Sequence, residues 1–228
     1  MLNGKTILIT SGGTLEKWDE VRGHTNLATG TIGTYLAEQA LAQGARVIYL
    51  HGYFAKVPEQ RDGLVTERFE GIADLGAKIR KWVGEADAAI MAAAVSDWVV
   101  DKITDSDGNV IGDGGKMPSE VPPVIHFKKA PKIITEIKKW NPNVYLAGFK
   151  LEHSTDRDYL VNRALLRMET WRSDLVVANS SASLHGTEAL HLLVEPDGSV
   201  REFANKFSTA DALLEVIAGN ICRNRLSR

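Results

Sequence analysis

Short apolar runs alternate with longer amphipathic segments along most of the chain. Runs rich in β-branched residues predict strands, and apolar residues repeated every three or four positions predict helices. The predicted strands cover residues 5–10, 46–50, 88–95, 144–149 and 174–178. The predicted helices cover residues 31–43 (closed by Gly44), 71–84, 131–140 and 156–172, followed by a last helix that Ser208 caps. Strands that alternate with helices form right-handed crossovers, so the pattern predicts an α/β fold with a three-layer, Rossmann-like and mostly parallel sheet.

The alternation breaks between residues 98 and 129. This segment contains the hairpin signal DSDGN at residues 105–109, a glycine-rich stretch at residues 112–115 and an extended stretch at residues 124–129. A second hairpin is predicted for residues 190–203, around the turn sequence PDG. The sequence has no internal repeat and no low-complexity linker. We therefore predict a single domain over residues 1–228 with an inserted flap at about residues 98–129.

Composition limits the partners that we expect. The 228 residues include 44% hydrophobic and 25% charged residues, with a formal net charge of -2. Nucleic acid or a membrane surface would favour a clustered basic excess, so we expect neither as a partner. Cys222 is the only cysteine and cannot form an intrachain disulfide, which fits a reducing compartment. No apolar run reaches the roughly 20 residues of a membrane span and the N-terminus lacks a signal-peptide pattern, so we expect a cytoplasmic protein.

The loop after the first predicted strand is unusually long. About twenty residues separate that strand from the next helix, whereas such loops usually have about two to six. Gly12 and Gly13 follow the strand at the carboxyl edge of a parallel sheet, where ligands bind, and glycines let backbone N–H groups approach a phosphate. A tight turn without a ligand is the alternative. The segment lacks the lysine of a Walker loop and the G-x-G-x-x-G spacing of a dinucleotide fingerprint.

The end of this loop offers candidates for holding a substrate. Asn26 precedes the predicted helix start at Gly30, where N–H groups and the helix dipole attract an anion. Its neutral amide offers both a donor and an acceptor to an amide or carbonyl group. Arg22 suits a phosphate or a carboxylate as a clamp. A loop-shaping asparagine and a solvated arginine are the alternatives.

Small residues end the third predicted strand. Residues 92–97 read AAAVSD, so the alanines leave room above the sheet edge, and Asp97 can accept hydrogen bonds from a nucleotide or a metal-bound water. Close helix packing on the alanines is the alternative. Lys116 follows the glycine-rich part of the flap and can carry a positive charge over a site, unless it is merely solvated.

Together these pieces resemble phosphopantothenoylcysteine synthetase, also called phosphopantothenate–cysteine ligase. The resemblance spans nearly the whole chain and rests on ITSGGTLEKWDEVRGHTNLATGTIG, AAAVSDW, KMPSE, KKAPKII, LAGFKLE and DLVVANSS in the family's order. It implies a ligase of coenzyme A biosynthesis that condenses 4'-phosphopantothenate with L-cysteine through an acyl-nucleotide. Bacterial members of the family use CTP and animal members use ATP. The length of the chain resembles that of the monofunctional branch, which lacks a fused flavin-dependent decarboxylase.

The resemblance also implies site residues and a cofactor. Asn26 and Lys116 match the catalytic positions. The implied nucleotide-binding residues are Gly12, Gly13, Ala93, Ala94, Asp97, Lys116, Pro131, Lys132, Ile133, Ile134, Phe149 and Arg167. The implied substrate-binding residues are Arg22, Asn26, Gly30 and Asn179. Mg²⁺ is implied with CTP or ATP, held mainly by phosphates and water, and the lack of a His/Cys cluster predicts no structural metal.

Two departures from the family pattern affect the nucleotide. Pro118 and Ser119 stand where many bacterial members have further lysines. Family members also carry nucleotide-contacting lysines on a later helix, and in this sequence the basic residues nearest to those positions are Arg167 and Arg163. Arginine keeps the charge but not the geometry, which leaves the choice between CTP and ATP open.

The resemblance further implies a homodimer that exchanges contacts through residues 98–129. The alternatives are a non-catalytic nucleotide-binding module and a Rossmann-type NAD(P)-dependent oxidoreductase, although the sequence has no Tyr-x-x-x-Lys pair of a short-chain dehydrogenase.

Overall fold

The computed structural model of the protein describes residues 1–112, 115–181 and 188–223. Its strands are β1 (Thr6–Ser11), β2 (Leu15–Lys17), β3 (Gly23–Thr25), β4 (Arg46–His51), β5 (Leu64–Arg68), β6 (Ala88–Met91), β7 (Trp98–Thr104), β8 (Val124–Lys129), β9 (Tyr145–Glu152), β10 (Leu175–Ser180), β11 (Glu188–Val194) and β12 (Val200–Asn205). Its α-helices are α1 (Thr31–Ala42), α2 (Ile72–Trp82), α3 (Ile137–Trp140), α4 (Arg157–Trp171) and α5 (Lys206–Arg223).

Eight of these strands form the main sheet, in the order β12-β11-β10-β9-β6-β1-β4-β5. All neighbours from β10 to β5 run parallel, whereas β11 and β12 are antiparallel additions at the other end. The pairs β2–β3 and β7–β8 form separate antiparallel sheets of two strands each. The predicted α/β fold with a mostly parallel sheet is therefore confirmed.

Helices cover both faces of the main sheet, as a buried parallel sheet requires. On one face α1 and α5 pack Leu36 and Leu213 into the same fully buried cluster as Ile9. On the other face α2 packs Ile79 into a cluster with Leu8, and α4 covers β10 and β11. Successive strand residues point to opposite faces, so Leu8 and Ile9 serve different clusters. The sheet is thus the middle of three layers.

The ends of the helices follow the predicted signals only in part. Gly44 follows α1 with a φ of 84°, which confirms a glycine at the C-terminal end of this helix. Asp156 caps α4, with its side chain accepting a backbone hydrogen bond from the first turn. The prediction that Ser208 caps the last helix is wrong. Asn205 takes this role, since its Oδ1 accepts from the backbone N–H groups of Phe207 and Ser208 at 3.0 and 2.9 Å.

Two further predictions meet different outcomes, and one strand of the sheet is not predicted at all. The predicted helix over residues 131–140 is instead a 3₁₀ turn at Ile133–Thr135 followed by the short α3, so Pro131 precedes a helix rather than beginning one. The predicted hairpin at residues 190–203 is confirmed by the antiparallel pairing of β11 with β12. The edge strand β5 is not predicted, because its sequence LVTER has two apolar residues followed by three polar ones, which is neither a continuous apolar run nor an alternating pattern.

Both unusual segments of the sequence contain antiparallel hairpins. The β2–β3 hairpin lies inside the long loop after β1, and its three-residue strands are too short for a recognisable sequence period. In the predicted flap β7 pairs with β8, and Asp105 stabilises the turn after β7 by accepting from the N–H groups of Asp107 and Asn109 at 2.9 and 2.8 Å. Residues 113 and 114 of the predicted glycine-rich stretch lie outside the described residues.

Candidate active site

The long loop after β1 meets the end of β6 at the carboxyl edge of the main sheet. The strand β6 stops before the predicted residue 95, but Ala94 still pairs with Gly13 in a parallel bridge. The Ala94 N–H donates to the carbonyl oxygen of Gly12 at 2.8 Å, and the Thr14 N–H donates to that of Ala94 at 3.2 Å. A Cβ on Gly13 would stand 2.5 Å from a backbone oxygen of the loop, so this approach requires glycine. The structure thus brings the predicted glycine segment after β1 next to the predicted small residues at the end of β6. The Thr14 N–H is occupied by a hydrogen bond within the protein.

Asn26 lies beside this contact and faces a cavity. Its side-chain Nδ2 donates to the carbonyl oxygen of Ala94 at 2.9 Å, so the end of β6 orients the amide group. Asn26 is exposed and lines a cavity of about 400 Å³ together with Ala93, Ala94 and Asp97. An oriented amide can still offer its Oδ1 acceptor and its second N–H to a ligand.

An apolar wall closes one side of the 400 Å³ cavity. The predicted residues Ile133, Ile134 and Phe149 all line it, and Trp171 at the end of α4 joins them. Flat aromatic surfaces next to branched aliphatic ones suit a nucleobase or an apolar acyl chain. The wall therefore favours an organic ligand over a bare inorganic ion.

Charged side chains stand at the rim of the same cavity. Asp97 forms an ion pair with Lys132, and this hydrogen bond holds the pKa of the Asp97 carboxyl below its usual range. The charges of Lys150 and Arg167 lower the pKa of Asp97 further. Lys132 and Lys150 line the cavity, whereas Arg167 contributes its charge from α4. The rim therefore carries an excess of positive charge, which suits a polyphosphate.

A smaller cavity of about 190 Å³ adjoins the first and shares Ala93, Ala94 and Phe149 with it. Gly30 and the start of α1 form one side, and Asn179 of β10 also lines the cavity. The helix α1 begins with no side-chain cap and with no acidic residue in its first turn. The positive end of its dipole thus faces the cavity, as an anion site requires.

Arg22 is bound to the flap rather than to either of these cavities. Its Nε lies 3.4 Å from Oδ2 of Asp19, and its Nη2 donates to the carbonyl oxygen of Met117 at 2.8 Å. Asp19 is 7% exposed and accepts from the Met117 N–H at 3.1 Å. Burial raises the pKa of Asp19, but backbone hydrogen bonds from Val21, Met117 and Arg22 and the Arg22 charge outweigh it and hold the pKa below its usual value. We call Asp19, Arg22 and Met117 the latch; substrate binding by Arg22 stays a prediction.

Like Arg22 and Arg167, the predicted residues Lys116 and Pro131 line neither of these two cavities. Lys116 is exposed and directly precedes Met117 of the latch. Pro131 is exposed and lines, with Lys132 and Ile133, a third cavity of about 880 Å³ beside α2 and α3. Contact of Lys116 with a bound nucleotide would require the flap to move, so its catalytic role stays a prediction.

Four basic or aromatic residues that line the two cavities were not predicted from the sequence. They are Lys150, Trp171, His191 and Lys206. His191 is a polar residue inside the apolar strand β11, and this isolated position is the one local signal that could have marked it. Lys206 begins α5 and has no such signal. Only the pairing of β10, β11 and β12 brings it to the cavity.

Two kinds of feature are absent from the described ranges. There, no group of three or more His, Cys, Asp or Glu side chains could hold a metal ion. The Mg²⁺ predicted with the nucleotide stays a prediction, because phosphates and water would supply most of its ligands. None of the helices in the same ranges combines the length and apolar character needed to cross a membrane.

Comparison with known proteins connects this site to one family. The family model for the DNA/pantothenate metabolism flavoprotein C-terminal domain matches residues 2–221. The coenzyme A biosynthesis bifunctional protein CoaBC of Thermococcus kodakarensis is 33% identical over 210 residues, which cover 90% of this chain and 47% of that protein. The phosphopantothenate–cysteine ligase of Mus musculus is 31% identical over 103 residues, covering 45% of this chain and 30% of that protein.

A solved structure has the same architecture. The crystal structure of the DNA/pantothenate metabolism flavoprotein from Streptococcus pneumoniae superposes with a TM-score of 0.87 at 29% identity, covering 95% of this chain and 100% of that chain. The chain spans about half the length of the bifunctional relative from Thermococcus kodakarensis. The predicted family is thus confirmed at the level of this domain. Since the family model matches almost the whole chain, the protein belongs to the DNA/pantothenate metabolism flavoprotein C-terminal domain family.

Proposed function

We propose that this domain is a phosphopantothenate–cysteine ligase, which condenses 4'-phosphopantothenate with L-cysteine through an acyl-nucleotide. Family membership and the name of the mouse relative support the activity. The structural observation that carries it is the hydrogen bond from Asn26 to Ala94. This bond orients a neutral amide where a small anion-binding cavity meets a larger cavity with an apolar wall. Because the chain spans about half the length of its bifunctional relative, the proposal concerns the ligase reaction alone.

The reaction requires two displacements. A carboxylate is a poor electrophile, so its oxygen first attacks the α-phosphorus of the nucleotide and pyrophosphate leaves. The cysteine amine then attacks the acyl carbon, and the nucleoside monophosphate leaves while the amine loses its proton. The phosphorylated acid and the nucleotide are both anionic, so they repel each other. The positive charges of Lys132, Lys150 and Arg167 and the start of α1 offset this repulsion. Asn26 orients the acyl group without adding charge.

Shielding from water is the second requirement, because an acyl-nucleotide hydrolyses readily. The wall formed by Ile134, Phe149 and Trp171 supplies an apolar side. We propose that the flap closes the open side and brings the charge of Lys116 to the phosphates. The latch holds Met117 against the long loop, so the part of the flap next to Lys116 is already anchored to the loop that carries Asn26.

Mg²⁺ is proposed to accompany the nucleotide, with CTP preferred over ATP. Asp97 is the carboxylate among the described residues that line the 400 Å³ cavity, so it would provide the protein ligand. When bound, the ion would neutralise phosphate charge in the attack on the α-phosphorus. Asp97 fits such a role without a dedicated protein cage, and the rim lysines would contact the phosphates rather than the ion.

We also propose that the protein is a homodimer formed through the β7–β8 hairpin. Trp98 is 56% exposed and Phe127 is 44% exposed on this hairpin. Large apolar side chains exposed together on a small two-stranded sheet are unfavourable in water, and a second copy of the hairpin would cover them.

A coupled assay tests the proposed activity. The protein is supplied with 4'-phosphopantothenate, L-cysteine, Mg²⁺ and either CTP or ATP, and the released nucleotides are quantified. One nucleoside monophosphate and one pyrophosphate should appear per product, and labelled pyrophosphate should exchange into the nucleotide without cysteine. A nucleoside diphosphate with no pyrophosphate exchange would contradict the mechanism. Nucleotide binding without any cysteine-dependent product would instead indicate the non-catalytic module.

A further inference from the structure

Two side-chain hydrogen bonds join the loop after β1 to the end of β6. Asn26 donates from Nδ2 to the carbonyl oxygen of Ala94 at 2.9 Å, and Nε2 of His24 lies 3.3 Å from the hydroxyl oxygen of Ser96. The partners are two residues apart on both segments. Alternate residues of an extended strand such as β3 point the same way, so the two bonds lie side by side. The bond at His24 therefore fixes the register of the bond at Asn26.

The tautomer of His24 follows from its second partner. The indole Nε1 of Trp18, which can only donate, lies 3.3 Å from Nδ1 of His24. Nδ1 must therefore accept, so the ring is neutral and carries its proton on Nε2, which donates to Ser96. The Ser96 hydroxyl also accepts from the Trp98 N–H at 3.2 Å and donates to the Trp98 carbonyl oxygen at 2.8 Å. Each polar atom of these side chains thus has a partner of the right type.

His24 also contacts the β7–β8 hairpin of the flap. Its ring meets that of Phe127 edge to face, with the centroids 4.8 Å apart and an interplanar angle of 81°. Aromatic rings favour such T-shaped contacts. Trp98, which begins β7, is held by Ser96. One half-buried ring thus connects the loop that carries Asn26, the end of β6 and the hairpin.

Ser96 gives this arrangement a fixed base. It is 7% exposed, and its N–H donates to Oγ1 of Thr14 at 3.1 Å. The Thr14 N–H donates in turn to the carbonyl oxygen of Ala94, which also accepts from Asn26. Asn26 itself is exposed, and in the described ranges its side-chain amide makes this one hydrogen bond. Its orientation therefore depends on how the loop is held at neighbouring positions such as His24.

We propose that His24 is a positioning residue of the ligase site. Its neutral ring, protonated on Nε2, joins Trp18 to Ser96 and thereby orients the Asn26 amide toward the acyl group. This inference rests on the proposed ligase function. His24 acts through Asn26 and does not touch the reactants, because Asn26 lines the 400 Å³ cavity whereas, in the described part of the chain, His24 does not.

A ring that only filled space would respond differently to substitution. The contact with Phe127 requires only an apolar group, whereas the bond to Ser96 requires a donor at a fixed position. Glutamine places an amide donor near the position of Nε2, and leucine of similar size places none there. Packing alone would therefore favour leucine over glutamine at position 24, and hydrogen bonding would favour glutamine.

Pyrophosphate exchange with 4'-phosphopantothenate, Mg²⁺ and CTP, without cysteine, tests the proposal. His24→Leu should lose about tenfold in exchange rate, with an apparent affinity for CTP within about twofold of that of the intact protein, because a misoriented group slows the chemical step. Ser96→Ala removes the other end of the bond and should show the same loss. His24→Gln should keep at least about a third of the rate. His153→Leu, at an exposed histidine, is the matched control and should keep the full rate.

Nuclear magnetic resonance provides a readout that needs no turnover. The ¹⁵N signals of the His24 ring should show one neutral tautomer with the proton on Nε2. The Trp18 indole N–H should exchange with solvent more slowly in the intact protein than in His24→Leu, because it donates to Nδ1. The side-chain amide signals of Asn26, assigned by their absence in Asn26→Ala, should move in His24→Leu and return toward their original positions in His24→Gln.

Each outcome decides the inference. A neutral His24 ring protonated on Nδ1, or an undiminished rate of pyrophosphate exchange in His24→Leu or Ser96→Ala, would overturn it. A higher rate in His24→Leu than in His24→Gln would assign the ring to packing and would also overturn it. If the intact protein catalyses no pyrophosphate exchange, the ligase proposal fails and the Asn26 signals decide the positioning. Movement in His24→Leu with recovery in His24→Gln would then support it, and unchanged signals would refute it.

Discussion

Arg22 donates from Nη2 to the carbonyl oxygen of Met117 at 2.8 Å, although the two residues lie 95 positions apart in the sequence. Asp19 accepts from the N–H of the same methionine, so both backbone polar groups of Met117 are held by the loop after β1. Met117 is 3% exposed and directly follows Lys116 in the flap. The latch thus connects the loop that carries Asn26 to the segment that carries the candidate flap lysine.

Substituting the buried acid of the latch should loosen the flap. In Asp19→Asn, one carboxylate oxygen becomes an NH₂ group, which faces another donor at the Met117 N–H or at Arg22. We expect a loss of about 1–3 kcal/mol in the free energy of unfolding, the usual cost of an unpaired buried polar group. Hydrogen exchange at the Met117 amide should also become faster.

The neighbouring Glu20→Gln is the control for the latch, since Glu20 is exposed. It should change neither the unfolding free energy nor the exchange rate at Met117. Equal rates of hydrogen exchange at the Met117 amide in the intact protein and in Asp19→Asn would show that Asp19 does not hold the flap.

Removing the flap charge should slow the proposed reaction. Lys116→Gln should fold normally and lose roughly 10²- to 10³-fold in turnover, the scale for one preorganised group that stabilises developing charge. Lys102→Gln, an exposed lysine on β7, should retain normal turnover as the matched control. A change below about threefold in Lys116→Gln would mean that this lysine is only solvated surface.

Asn26→Ala should impair the first displacement as well as the overall reaction. The substitution removes the amide that Ala94 orients, so we expect a loss of about tenfold to hundredfold in pyrophosphate exchange and in product formation. Asn162→Ala, on the exposed side of α4, is the control and should keep both rates. Normal exchange in Asn26→Ala would exclude this residue from the formation of the acyl-nucleotide.

The proposed dimer should depend on the β7–β8 hairpin. Sedimentation at micromolar concentration should show a dimer for the intact protein and a monomer for the double variant Trp98→Ser and Phe127→Ser, because exposed apolar area would no longer drive association. Phe54→Ser, which removes a 67% exposed aromatic residue outside the hairpin, should remain dimeric. A monomeric intact protein would contradict the proposal.

His191 should make the ligand-free protein sensitive to acid. Burial and the Lys206 charge lower its pKa from 6.5 to about 4, so between these pH values the unfolded state binds a proton that the folded state does not. The free energy of unfolding should therefore fall by about 2–3 kcal/mol more in the intact protein than in His191→Gln between pH 7 and pH 4.5. Urea unfolding at several pH values measures this difference, and parallel pH profiles would contradict it.

The sequence by itself determined the central sheet. The strands β1, β4 and β6 are buried on both faces and read as continuous apolar runs, so their identity is visible locally. The edge strand β5 has one less-covered side and mixes polar with apolar residues, and β2 and β3 have three residues each. Such strands are stabilised by their partners rather than by their own pattern, so local periodicity could not identify them.

The residues of the candidate site also fall into two groups, those that the sequence identifies and those that only the tertiary structure places. Gly12, Gly13 and Asn26 are recognisable because they lie between a strand and a helix at the ligand-binding edge of a parallel sheet. The contact of Asp19 with Met117 joins residues 98 positions apart, and no local pattern encodes it. His191 reaches its cavity because β11 pairs with β10 in one register, which the burial of one strand face selects. Tertiary structure alone decided which side chains share a cavity, since strand order and register set those distances.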